Sequence, residues 1–359
     1  MDWPSRKFAD VVCVVLAAAL LALAIPLHVS QWKPHKEVQD IYYSWLEGSR
    51  ILDGVNPYAR VLSGDMRYND KYATYFPLFY LLSAGAEAMG FREYRAWLNF
   101  WRPIFLAFLL ATGAVLFFHI RAQGFPWLGL LGLALWLFSR WTLYVTLVTH
   151  LDFPPIFFLV LALIVARRNI IVAGFLLSVS LALKQVAIFI APLFVIWAWR
   201  QGGEHRWRRA ALAALAVAGL PLALSVPFFV WNAEGYVKSL LFSVTRIEVG
   251  PLLLAPSCDT LLGWDGPASR IPLYLFMIGI YVAAMLRGVP PCGAACLVMF
   301  GFIALNRTLL YQYLCWPLPV ALLALAEAAG LRVEVVRSQW EAVGPPQTPP
   351  SINESAGHG

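Results

Sequence analysis

Long apolar runs recur from one end of this chain to the other, beginning with Val11–Leu27, and they leave few ways to fold outside a lipid bilayer. A helix that crosses the hydrocarbon core needs about 20 mostly apolar residues, and short charged or Pro/Gly-containing breaks separate runs of about that size. Charged residues make up 13% of the 359 residues, well below the roughly 25% of a soluble domain. The expected fold is therefore all-α: one polytopic membrane domain over residues 1–330, with a cytoplasmic tail, 331–359, too rich in Pro, Ser, Gly and Glu to build a core. A formal charge of +7 does not point to nucleic acid here, because the basic residues cluster at helix ends, where they act as topology signals.

Arg6 and Lys7 predict a cytoplasmic amino terminus, so Val11–Leu27 leads outward. No small-x-small cleavage pattern follows it in AIPLHVSQW, so it reads as a retained first helix rather than a signal peptide. Alternation then gives twelve crossings with both termini inside, and outer loops at 31–72 and 232–270. Ala73–Phe91 is expected to return to a cytoplasmic cluster of Arg92, Arg95 and Arg102. Trp127–Phe138 and Trp141–Val148 are expected to cross separately, which keeps Arg167 and Arg168 in the cytoplasm; merging them would lower the count to eleven.

The one long polar stretch is Val38–Leu82. Val38, Ile41, Tyr42, Trp45, Leu46 and Leu52 recur at steps of three and four, which predicts one apolar face of a helix. Asp40, Tyr43, Ser44 and Glu47 would form the opposite, wet face. By itself this pattern describes a helix lying in the membrane interface.

Further motifs extend the pattern in a fixed order. Gly54, Pro57 and Tyr58 form a G-x-x-P-Y turn, and Tyr75-Phe76-Pro77-Leu78 opens the next apolar run. His150-Leu151-Asp152 precedes a helix, Ala182-Leu183-Lys184-Gln185 ends another, and Gln312-Tyr313-Leu314-Cys315-Trp316-Pro317 leads into a late one. In this order the chain resembles the GT-C fold glycosyltransferases that use polyprenyl-phosphate sugars, most closely glycosyltransferase family 87, the mannosyltransferase-like group. Phe76 stands where that family's Y-P-P-L motif has its first proline.

The resemblance implies transfer of a sugar, mannose by the family's name, from a polyprenyl-phosphate donor to a hydroxyl of a lipid or glycan acceptor at the outer face of a bacterial-type inner membrane. The attacking hydroxyl must shed a proton, for which a positioned carboxylate suffices. Asp40 matches the family's catalytic aspartate; Glu47 is its first substitute, and Asp53, Asp65, Asp70 and Asp152 follow. The leaving phosphate needs fixed cations, for which Lys184, Arg246 and Arg307 are the candidates. Tyr43, Tyr75 and Tyr313 are candidate walls of a sugar groove, against the alternative of an aromatic belt. His150 reads more readily as a satisfied interfacial histidine than as a base.

Cys13, Cys258, Cys292, Cys296 and Cys315 have no metal-ligand spacing, and the first loop lacks Asp-x-Asp. No cofactor is expected. The rival class is a transporter or lipid flippase, disfavoured by the lack of an internal repeat and by ionisable residues gathered at one surface.

Overall fold

The computed structural model describes residues 3–33, 40–64, 72–245, 262–263, 267–306 and 310–343. It is helical, with no strand among the described residues. The helices are α1 (Trp3–Ser30), α2 (Asp40–Leu52), α3 (Leu78–Ala88), α4 (Tyr94–Ala122), α5 (Pro126–Phe138), α6 (Arg140–Val148) and α7 (Phe153–Val165). They continue with α8 (Ile170–Leu183), α9 (Ala191–Gln201), α10 (Arg206–Trp231), α11 (Ala233–Thr245), α12 (Ile271–Arg287), α13 (Pro291–Leu305) and α14 (Pro317–Val343). Six helical segments are long and apolar enough to cross a bilayer: Phe8–Ser30, Tyr94–Ala122, Pro126–Val148, Gly203–Trp231, Ala268–Arg287 and Tyr311–Glu334. The chain is thus a polytopic helical protein of the membrane type.

Side-chain contacts sort the helix ends into two layers. At one end Arg121 of α4 makes a two-pronged ion pair with Asp10 of α1, at 2.6 and 2.7 Å. In the same way Arg167, after α7, binds Glu327 of α14 at 2.6 Å, and Glu327 also accepts from the Gly293 N–H that opens α13. At the other end Arg102 of α4 donates to the Lys33 carbonyl beyond α1.

Two expected crossings do not occur, each for a local reason. Trp45 of α2 donates to the Arg92 carbonyl at 3.1 Å, and the Tyr42 ring lies 5.1 Å from Tyr94, so α3 begins and ends in the layer that holds α2. Arg92, Arg95 and Arg102 therefore sit at the end away from Asp10, opposite to the sequence expectation. The first loop extends to residue 93 and contains a packed helical pair. Gly48 makes that packing possible, because a Cβ there would run into the Ser83 hydroxyl.

The second case is α6. Ser139 has extended dihedrals (φ −65°, ψ 145°) and caps α6 by accepting from the Thr142 N–H, which bends the chain after α5. The His28 ring then binds both the Leu137 carbonyl (2.8 Å) and the Thr146 hydroxyl (2.7 Å). One imidazole spans about 8 Å at most between two hydrogen-bond partners, whereas nine residues of straight helix rise about 13 Å. So α6 turns back along the end of the bundle without crossing, and Arg167 keeps its predicted layer.

At the carboxyl end, α14 continues to Val343, past the residue 330 expected as the limit of the helical domain. Residues 331–343 contain no Gly or Pro, and both appear at once in Gly344-Pro345, where helix-breaking residues belong.

Candidate functional site

The layer that holds α2, α3 and α6 also gathers the polar groups. Asp152 precedes α7, whose prolines at 154 and 155 remove N–H donors that the first turn would leave without partners. Its carboxylate caps no backbone group. Instead Oδ1 accepts from Lys184 Nζ at 2.8 Å and from the Trp316 indole N–H at 2.8 Å. Lys184 ends the antiparallel helix α8, so the anion lies at a helix amino end and the cation at a carboxyl end, the favourable sense for both helix dipoles. All three side chains are buried.

The turn before Asp152 is unusual. Thr149 has φ +50°, the one non-glycine residue with positive φ among the described residues. A β-branched residue rarely adopts that conformation, which is held at a cost where a site needs it. It closes α6 and turns His150 inward. His150 Nδ1 lies 3.9 Å from an oxygen of Asp152 and 3.9 Å from an oxygen of Asp40. Asp40, at the start of α2, keeps its side chain 26% exposed, while Asp152 is fully buried. A line of ionisable groups therefore runs from Asp40 through His150 and Asp152 to Lys184.

Aromatic rings wall this line. Lys184 Nζ is 5.4 Å from the centre of the Tyr75 ring and 5.7 Å from that of Trp316. Tyr313 packs on Trp316 with centres 4.3 Å apart. The segment before α3 that carries Tyr75 is pinned from three sides: Gln185 donates to the Thr74 carbonyl (3.1 Å), Tyr58 to the Tyr75 carbonyl (2.7 Å) and Ser239 to the Ala73 carbonyl (2.6 Å). Gly54, at φ +70°, ends α2, so Asn56-Pro57-Tyr58 can start a separate short turn.

Of the residues singled out in the sequence, Asp40, Lys184, Tyr75 and Tyr313 come together here. Arg246, Arg307, Asp65 and Asp70 lie outside the described residues. Glu47 and Tyr43 have a different place from the one expected. Glu47 is fully buried and accepts from Arg60 at 2.9 Å, with Arg50 at 3.7 Å. Tyr43 lies 6.0 Å from the Arg60 guanidinium. Ser44 is buried as well, so the face read as wet is in large part the packed one, shared with Ile41 and Gly48. A strict three-to-four periodicity misassigned it, because Gly48 draws small and paired polar residues into the contact with α3.

Burial pushes the Glu47 carboxyl above the usual range, against the pull of Arg60 and Arg50. Glu47 is thus a member of a structural pair. Glu47→Ala is expected to cost about 3 kcal/mol, the usual cost of stranding one partner of a buried ion pair, and to appear as a lower thermal midpoint in detergent. An unchanged midpoint would return Glu47 to the list of ligand-binding candidates.

No family model and no curated protein matches this chain. The site must therefore be read from its own residues. Among the described residues no group of three or more His, Cys, Asp or Glu side chains forms a metal-holding cluster. Cys13, Cys292, Cys296 and Cys315 are free thiols, and Cys258 lies outside the described residues. Chemically, the arrangement provides a partly exposed carboxylate able to take a proton, a histidine able to hold it in place, and a buried cation already neutralised by Asp152.

Proposed function

We propose that this protein is a membrane glycosyltransferase that moves a sugar from a polyprenyl-phosphate donor to a hydroxyl of a lipid or glycan acceptor. The observation that carries the reading is the position of Asp40. Its carboxylate is partly exposed on a helix that does not cross, beside His150 and above a buried ion pair that fixes three helix ends. In the proposed step the acceptor oxygen attacks the anomeric carbon while its proton passes to Asp40. The bond from that carbon to the phosphate oxygen breaks, and polyprenyl phosphate leaves with the electron pair.

The family resemblance of Asp40, the Gly54–Tyr58 turn, Tyr75-Phe76-Pro77-Leu78 and the Gln312–Pro317 stretch supports the same chemistry. Arg167 and Arg168 follow α7, Arg200 ends α9, and Arg206, Arg208 and Arg209 open α10, at the end that holds Asp10. The positive-inside rule makes that end cytoplasmic and puts the site outside, as in a bacterial-type inner membrane. Transfer needs no metal in this scheme and is expected to survive chelation; activity abolished by EDTA and restored by manganese or magnesium would show otherwise.

The deciding experiment incubates purified protein with a panel of polyprenyl-phosphate sugars and a membrane glycan extract, with products read by mass spectrometry. A product whose mass rises by one hexose supports the reading. Substrate uptake or lipid flipping in proteoliposomes, with no modified acceptor, would identify a transporter or flippase instead.

A further inference from the structure

At the end of the bundle that holds Asp10, a cleft of about 280 Å³ opens between the last turns of α9 and α12 and the start of α10. Trp199, Arg200, Gly203, Arg206 and Met285 line it. An arginine that only marks a helix end extends its head into water, but both guanidiniums here are held in place. Arg200 Nη1 donates to the Ala284 carbonyl of α12 at 2.7 Å. The same guanidinium lies against Gly288, where a Cβ would meet Nη2 at 2.7 Å, so only glycine lets it approach so closely. Arg206 lies over the Trp199 ring, 5.5 Å from its centre.

Neither arginine makes an ion pair among the described residues, and Glu204, the acidic residue nearest to them in the chain, is exposed and pairs with neither. Two fixed like charges lining one cleft raise its potential, and an anion there would lower it. The surroundings indicate which anion. Trp199 and Trp207 meet edge to face with centres 4.1 Å apart, and Trp207 is 76% exposed, a state that suits tryptophan at the headgroup level of a membrane. On α12 the exposed Leu275, Ile278, Val282 and Leu286 recur at steps of three and four, so an apolar stripe leads away from the cleft along the helix. Guanidiniums suit the oxygens of a phosphate, and the stripe suits acyl chains. Together they have the makeup of a phospholipid headgroup site between membrane helices. The cleft is far larger than the about 30 Å³ that a water occupies, which leaves room for a phosphate group.

We infer that this cleft seats the phosphate diester of an anionic phospholipid, such as phosphatidylglycerol, from the leaflet at the Asp10 end. The site is separate from sugar transfer: Asp40, His150 and Lys184 lie in the opposite layer, and no step of the proposed reaction passes through Arg200 or Arg206.

The test titrates purified, delipidated full-length protein in detergent with dioleoyl phosphatidylglycerol, dioleoyl phosphatidylcholine and glycerol 3-phosphate, and counts bound ligand by native mass spectrometry. Phosphatidylglycerol is expected to bind about tenfold or more tightly than either of the others. The Arg200→Gln/Arg206→Gln variant is expected to lower that affinity about fivefold or more. Arg168→Gln/Arg208→Gln removes the same charge from exposed positions at the same end, outside the cleft lining, and is expected to leave the affinity within about twofold. Should the cleft variant not fold, Arg206→Glu serves in its place: it keeps the Arg200–Ala284 hydrogen bond, reverses one charge and is expected to show the same loss. Phosphatidylcholine binding as tightly as phosphatidylglycerol overturns the inference, and so does unchanged affinity in the folded cleft variant. Equal losses in the two double variants overturn it as well, because they would mean diffuse attraction to the whole basic end. Glycerol 3-phosphate binding as tightly as the lipid would assign the cleft to a soluble phosphate and defeat the lipid site.

Discussion

Asp40→Asn is expected to fold like the parent protein and to lose sugar transfer by roughly 10²–10⁴-fold, the range over which a positioned general base contributes. Asparagine keeps the shape of the side chain and an oxygen that accepts hydrogen bonds, but it cannot take the hydroxyl proton. Initial rates with the donor that the mass-spectrometric screen identifies provide the measurement, and an unchanged thermal midpoint shows that the fold survives. Turnover within about threefold of the parent would remove Asp40 from the mechanism.

Lys184→Met carries the second large effect, on stability rather than on chemistry. It leaves the fully buried Asp152 carboxylate with the Trp316 N–H as its one remaining hydrogen-bond donor among the described residues. Breaking a buried pair from one side costs about 3–5 kcal/mol, enough to strip most of the stability of an ordinary domain. The companion Asp152→Asn/Lys184→Met variant removes both charges and preserves an acceptor for Trp316. It is expected to recover most of the lost stability, with a coupling energy on the order of 3 kcal/mol in a double-mutant cycle. A single Lys184→Met variant as stable as the parent would show that this pair does not fasten α7, α8 and α14 together.

Much of the architecture was legible because apolar length is a one-dimensional property. The number of crossings was less so. Trp141–Val148 and Ala73–Phe91 are apolar enough for a membrane, and nothing local reveals that a histidine at position 28 will tie residues 137 and 146 together. The positive-inside rule misplaced Arg92, Arg95 and Arg102 for a related reason: α3 does not cross, so the chain that follows it stays in the layer where α3 began.

The site was half legible. Asp40, Lys184, Tyr75 and Tyr313 stood out by motif, and they meet in space. Asp152 and Trp316 ranked low because each looks ordinary where it stands in the chain. Their signal was present in a charged residue directly before Phe153-Pro154-Pro155, and in a tryptophan directly before a helix-starting proline. What no spacing rule conveys is that these two lie 164 positions apart and share one carboxylate oxygen.

The helices that carry the buried pair are short. By length, α7 with 13 residues and α8 with 14 rise only about 20 Å, against a hydrocarbon thickness of about 30 Å. Their outward surface is small: no residue of α7 is exposed, and those of α8 that are, Ile171, Val172 and Phe175, lie at its start. The ends that carry Asp152 and Lys184 are thus shielded from lipid by their neighbours, and the match to the bilayer thickness is left to the longer helices around them.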